Sequence, residues 1–164
     1  MPFTPFHFGP SATIAIPLYT KIDVFVFLLA NVVIDLESLL VMTNKLHYPL
    51  HGYAHTFIGA IVLVSVWGIM AWVFRYKIKM IVQDVFRFPF EPSRGKMVLS
   101  GILGACFHVV LDSPLYSDIK PFYPLTTDPI FGIIDNKSMY NLCTIFIVPA
   151  IGLYVYRLKR NKSL

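Results

Sequence analysis

The sequence predicts an all-α fold: a polytopic membrane helix bundle formed by residues 1-164 as a single membrane-embedded helical domain. It is expected to contain about four spanning helices, a short N-terminal re-entrant or partial helix and a cytoplasmic amphipathic helix. Three observations predict this. The chain is 56% hydrophobic and only 14% charged, with a mean hydropathy of +0.65, beyond what soluble domains carry. Its apolar residues gather into runs near the roughly 20 residues that cross the hydrocarbon. Its Lys and Arg gather in alternate loops.

Taken in order, residues 11–19, Ser11 to Tyr19, are apolar but too short to span and contain Pro17, so they are expected to form the partial helix. Ile22 to Met42 reads as a span interrupted only by Asn31, Asp35 and Glu37. His55 to Tyr76, Lys96 to Tyr116 and Tyr140 to Leu158 supply three further apolar runs. The opening MPFTPFHFGP lacks the basic start and small-residue cleavage site of a secretory signal, so insertion is expected to use retained helices. Cys106 and Cys143 stand in apolar runs without C-x-x-C spacing and read as packing residues.

The loops give an orientation. Lys77, Lys79, Arg87, Arg94 and Lys96 lie between the second and third spans, and Arg157, Lys159, Arg160 and Lys162 lie in the tail. Both segments are expected to be cytoplasmic, because Lys and Arg accumulate there. Ile78, Ile81, Val82 and Val85 recur at helical spacing among the charges of the long basic loop, the pattern of an amphipathic helix on the inner leaflet. The net charge of +5 is thereby accounted for by topology and anionic lipid, with no nucleic-acid recognition motif present.

On this topology Asp35, His55, His108 and Asp112 fall at one level, toward the non-cytoplasmic face. An acid within the bilayer costs about 2.5 to 3.5 kcal/mol on the lenient insertion scale, so it faces the bundle interior with a partner. His108 and Asp112 share one helix face with Ser100 and Gly104, and His51, His55 and Gly59 form a similar row. Imidazole and carboxylate together suit a divalent metal, most readily zinc. The plainer alternatives are a hydrogen-bonded His108–Asp112 pair that stiffens the bundle and a helix-start His55 bonded to backbone. In a regular helix Asp35 shares a face with Asn31 and Ser38 and points inward, whereas Glu37 lies among apolar neighbours and does not. His47 reads as solvated, as do Asp118, Asp128 and Asp135 of the aromatic, Pro-rich loop from Ser117 to Ser138, which is expected to cover the opening.

These motifs carry a resemblance. MPFTPFHF with its early His, the D-x-E of Asp35 and Glu37, HGYAHT, and FHVVLDSPLY followed by an aromatic YPL look like the YdjM-like family of inner-membrane metal-dependent hydrolases. That family is itself similar to the zinc-dependent phospholipase C and nuclease superfamily. The likeness runs to about Pro124. It implies His7, Asp35, His51 or His55, His108 and Asp112 as metal ligands, and a multi-pass inner-membrane location. Two departures limit it: Gly52 stands where the family carries Arg, and no His follows His108. One or two ions are therefore expected rather than three.

Such a site would support hydrolysis of a phosphoester in a lipid or other amphiphile, through water activated by the divalent ion. Asp112 would bridge ions or orient that water, and Glu37, beside an apolar wall, would transfer a proton. Two rival classes fit the same residues: a divalent-cation transporter, and a non-catalytic membrane scaffold or regulatory protein using polar residues as interhelical glue. The inner halves of the spans offer no matching ladder of acids or His for transport.

Overall fold

The computed structural model describes residues 4–161. Within them the regular structure is helical: a 3-10 turn Thr4–His7, α1 Phe8–Ala15, α2 Val24–Asn44, a 3-10 turn Tyr53–His55, α3 Phe57–Val73, α4 Arg75–Met80 continued by a π-helical turn Ile81–Val85, α5 Arg94–Asp112, α6 Asn136–Ile145 and α7 Ile147–Asn161. Three stretches are long and apolar enough to cross a membrane: Val24–Asn44, Arg94–Asp112 and Asn136–Arg160, which contains α6 and most of α7. α3 joins them as a fourth only if it is counted with the segment Arg75–Val85, from which it is bent by 76°. The outer faces match this composition, with Leu40, Val62, Val66, Val148 and Ile151 all exposed. Contiguous apolar surface of that kind suits lipid rather than water.

Side-chain caps punctuate the helices. Asp23, Thr56, Ser93 and Asp135 each accept from a backbone N–H in the first turn of α2, α3, α5 and α6, satisfying donors that the helix itself leaves open. α2 ends at Lys45, whose left-handed φ of 50° turns the chain out. The long fourth run is divided at Phe146. Pro149 supplies no N–H for the Ile145 carbonyl, which breaks the ladder, and the Thr13 hydroxyl donates to the adjacent Phe146 carbonyl at 3.1 Å.

α5 is the central element, packed on α3 and α2, while α1 lies against α7 and α2. The small-residue row expected on α5 is real and buried: Ser100, Gly104, His108 and Asp112. A Cβ at Gly104 would collide with the Phe27 carbonyl of α2, so only glycine allows these two backbones to approach so closely. That approach carries Asp35 of α2 up to His108 of α5.

Two expectations about shape are refined. The N-terminal segment is helical earlier than expected, from Phe8, and turns at Ile16 to Ile22 before α2 begins. The basic loop does contain helix, but its apolar residues do not share one fate: Val82 is buried, whereas Ile81 and Val85 are exposed. The π-helical turn rotates the stripe, so part of it faces the protein.

Candidate metal centre

His55, His108 and Asp112 are almost fully buried, and with Asp35 they form a group whose potential ligand atoms all lie within 4.8 Å of one another. Each is delivered by a different constraint. Asp35 projects from α2, and His108 and Asp112 lie one turn apart on α5. His55 does not begin the third helix, as the sequence suggests, but ends the short 3-10 turn ahead of it. Thr56 takes the helix-capping role, bonding Gly59 N at 2.9 Å.

The Nε2 atom of His108 stands 3.3 Å from Asp35 Oδ1 and 3.3 Å from Asp112 Oδ2, and Nε2 of His55 is 3.7 Å from the same Asp35 oxygen. Yet the Nε2 atoms of His7, His55 and His108, together with Asp112 Oδ1, are buried and make no hydrogen bond among the described residues. Buried polar atoms nearly always find a partner, and leaving one bare costs about 1 to 3 kcal/mol. His7 Nε2 and Asp112 Oδ1 face each other at 3.2 Å, but the Nε2 atoms of His55 and His108, set beside the Asp35 and Asp112 carboxylates, fit an ion instead. Ligands at about 2.0 to 2.2 Å around a tetrahedral zinc sit roughly 3.4 Å apart, and the spacings above fall around that value. The cluster could therefore hold a metal ion.

Glu37 contradicts its expected place. Although a regular helix separates it from Asp35 by about 200°, both carboxylates reach His55, from opposite ends of the ring. Glu37 Oε2 lies 3.4 Å from His55 Nδ1, and its oxygens accept from Gly52 N at 3.0 Å and Ala54 N at 3.1 Å. It holds the whole 52–55 turn. Metal-binding imidazoles characteristically give their second nitrogen to a carboxylate in this way.

His7, a ligand in the reading that the resemblance implies, lies beside the cluster. Its Nδ1 is 3.1 Å from His108 Nδ1 and its Nε2 is 3.2 Å from Asp112 Oδ1. It adjoins the four-residue group rather than belonging to it.

His51 is a different case. Its ring lies 4.7 Å from that of His55 and 4.3 Å from that of Tyr116, centre to centre. It stands outside the four-residue group, and its Nδ1 is 2.9 Å from Asp118 Oδ1. Asp118 is thus no free solvated acid: it also accepts from His51 N at 3.1 Å. Burial pushes the His51 imidazole below its ordinary pKa, with the Asp118 bond pulling the other way. Burial works against the Asp118 charge, but the His51 ring and N–H outweigh it and hold the acid below the usual carboxylate range. Of the other loop acids, Asp128 accepts from Ile130 N and Asp135 caps α6, and neither approaches the cluster. His47 is exposed.

The loop from Ser117 to Ser138 packs over this face. Pro121 O accepts from Phe57 N at 2.9 Å, and Phe122 and Tyr123 touch Phe57 and Tyr53. Tyr116, which sequence reasoning passed over, brings a buried hydroxyl without a hydrogen-bond partner. It lies beyond the end of α5, after the turn at residues 113–115, where no helical spacing signals it.

No family model, curated protein or solved structure matches the chain. The site is therefore read from its own chemistry.

Proposed function

We propose that this chain is a membrane-bound metal-dependent hydrolase acting on a phosphoester in a lipid or other amphiphile. The observation that carries the proposal is the pair of buried, hydrogen-bond-free Nε2 atoms of His55 and His108, gathered with the Asp35 and Asp112 carboxylates so that the ligand atoms lie within 4.8 Å of one another. Zinc is the metal that two imidazoles and two carboxylates suit best, as one ion or two. The resemblance to the YdjM-like hydrolases supports the same activity. In this reading the chain crosses the inner membrane four times, with α3 and the bent segment after it as one broken span. The Lys- and Arg-rich ends of the helices, including the C-terminus, face the cytoplasm, part of the Arg75–Val85 segment rests on the inner leaflet, and the site opens to the other side.

A bound divalent ion supplies a water of lowered pKa and polarises the oxygen under attack. The chain's own residues orient that chemistry. With Nε2 of His108 reserved as a lone pair, its Nδ1 carries the proton and donates to His7 Nδ1, so His7 fixes the ring of a ligand. By the same logic His55 Nδ1–H donates to Glu37 Oε2. Glu37 therefore acts as a positioning residue, since a proton carrier needs an oxygen facing the reacting atoms, and here Oε2 accepts from Gly52 N and His55 while Oε1 accepts from Ala54 N and the Tyr48 hydroxyl. Asp112 is the carboxylate placed to take a proton from attacking water, its Oδ1 oriented by His7 Nε2 at 3.2 Å.

The surroundings suit an amphiphile. Asp35 and Glu37 are the more open edge of the site, at 19% and 18% side-chain exposure against 0% for His55. A 940 Å³ apolar groove between α2 and α3, lined by Leu36, Leu40, Val62 and Val66, reaches Glu37. A 220 Å³ cavity that brings the polar side chains of His51, Thr56, Asp118 and Lys120 together among tyrosines shares Tyr48 and Tyr53 with that groove. Hydrocarbon and headgroup would have adjoining places.

The test is a screen of detergent-purified, zinc-loaded protein against bis-p-nitrophenyl phosphate and defined phospholipids, beside chelated protein and His108→Ala. Metal-dependent release of phosphoester products is expected. Bound metal without turnover of any phosphoester, together with zinc flux into vesicles, would turn the reading to transport.

A further inference from the structure

At the opposite, basic end of the molecule a second amphiphilic cavity stands apart from the metal centre. A 540 Å³ cavity is lined by Gln83, Arg87, Phe88, Val155, Leu158 and Lys159, and among the described residues no acid borders it. It shares Phe88 with a 380 Å³ apolar cavity walled by Phe25, Phe86, Ile147, Ile151 and Tyr154. The two compartments thus run together along one face of α7, whose residues Ile147, Ile151, Val155 and Lys159 recur every fourth position.

From Ile147 to Lys159 this stripe rises about 18 Å, close to the roughly 15 Å of hydrocarbon in one leaflet plus the start of its headgroup layer. It is apolar until it reaches its cation. A single lipid chain lying along it would bring its headgroup to Arg87 and Lys159.

The cations themselves point to an anion. Arg157 is spent on the Tyr19 ring at 3.8 Å, Lys96 on the Tyr19 carbonyl at 2.8 Å and Arg75 on the Trp72 carbonyl at 3.0 Å. Arg87 and Lys159 have no such partner among the described residues. Arg87 moreover sits at φ 50°, a left-handed backbone that side-chain-bearing residues rarely adopt and that persists where surrounding structure enforces it. Here the enforcement is visible: Tyr154 Oη donates to the Phe86 carbonyl at 2.7 Å, and Phe88 is buried against Tyr19 and Tyr154. The aromatic residues on either side are clamped inward, and Arg87 lines the cavity with Lys159.

We infer that this double cavity binds one anionic phospholipid, its phosphate between Arg87 and Lys159 and one acyl chain along α7. The inference is independent of the hydrolase reading.

Dioctanoyl phosphatidylglycerol, dioctanoyl phosphatidylcholine and glycerol phosphate are titrated onto the full chain in detergent, and bound lipid is followed by native mass spectrometry. The wild type should retain phosphatidylglycerol and prefer it to phosphatidylcholine. The double variant Arg87→Asn/Lys159→Gln should bind it about thirtyfold more weakly, two cations at about 1 kcal/mol each. Both side chains are exposed, and Asn tolerates left-handed backbone, so the variant should keep its fold. Lys77→Gln/Lys79→Gln removes the same charge from α4 and should leave affinity unchanged. Equal loss in that control, equal binding of phosphatidylcholine, or glycerol phosphate binding as well as the lipid would each overturn the site.

Discussion

Two pairs of imidazole and carboxylate lie side by side in this protein, and they differ in what their atoms lack. His51 and Asp118 complete each other, with the ring nitrogen at 2.9 Å and the backbone N–H at 3.1 Å from the carboxylate. His108 and Asp112, with His55 and Asp35, crowd together at 3.3 to 3.7 Å but leave their inner nitrogens without hydrogen bonds. Residue type and helical spacing do not separate these cases, since H-x-x-x-H and H-x-x-x-D look alike in the sequence. Satisfaction separates them: a pair that closes on itself, as His51 does on the half-exposed Asp118, is structural, and a buried one that leaves ligand atoms without hydrogen bonds has room for an ion.

The largest expected effect falls on the open cluster. His108→Ala or Asp112→Asn should abolish bound metal while the protein still inserts, because insertion follows apolar length and becomes easier when a charge is removed. Equilibrium dialysis against zinc checks this. Asp35→Asn should also lower occupancy. Insertion lost with metal retained would reverse the assignment.

Acid should discharge the same cluster. His ligands bind as neutral imidazole and the acids as carboxylate, so protons compete with the ion and apparent affinity falls as pH drops through the ordinary His range. A pH-independent affinity between neutral and mildly acid conditions would argue against imidazole ligands.

A smaller effect is expected at the positioning residue. Glu37→Gln keeps the shape but weakens the hold on His55 Nδ1 and on the 52–55 turn, so zinc affinity should fall about tenfold to a hundredfold without being lost. Complete loss would make Glu37 a ligand in place of Asp35.

The smallest effect belongs to the closed pair. Asp118→Asn should leave metal content unchanged and cost about 1 kcal/mol of stability, the net worth of a partly exposed hydrogen bond. Metal loss in that variant would erase the distinction between the two pairs.

Much of this was legible in the sequence because it is periodic. The apolar runs, the Ser100 to Asp112 seam and the level shared by Asp35, His55, His108 and Asp112 all follow from helical repeat and length. Contacts outside the repeat were not legible. Asp118 meets His51 between two irregular segments, where no spacing rule applies. Glu37 was misplaced because helical angle alone ignored the reach of its side chain and the fact that His55 precedes its helix. His7, alone between Phe6 and Phe8, was signalled only by resemblance. The division at Phe146 was announced by Pro149 and overlooked in favour of the apolar run.

The most direct test is elemental analysis of the full-length wild type, purified in detergent without chelator, beside His108→Ala. The metal-centre account predicts one or two zinc ions, or a related divalent ion, per wild-type chain, and none in the variant. A metal-free wild type that takes up no zinc on addition, or equal metal in both proteins, would contradict it.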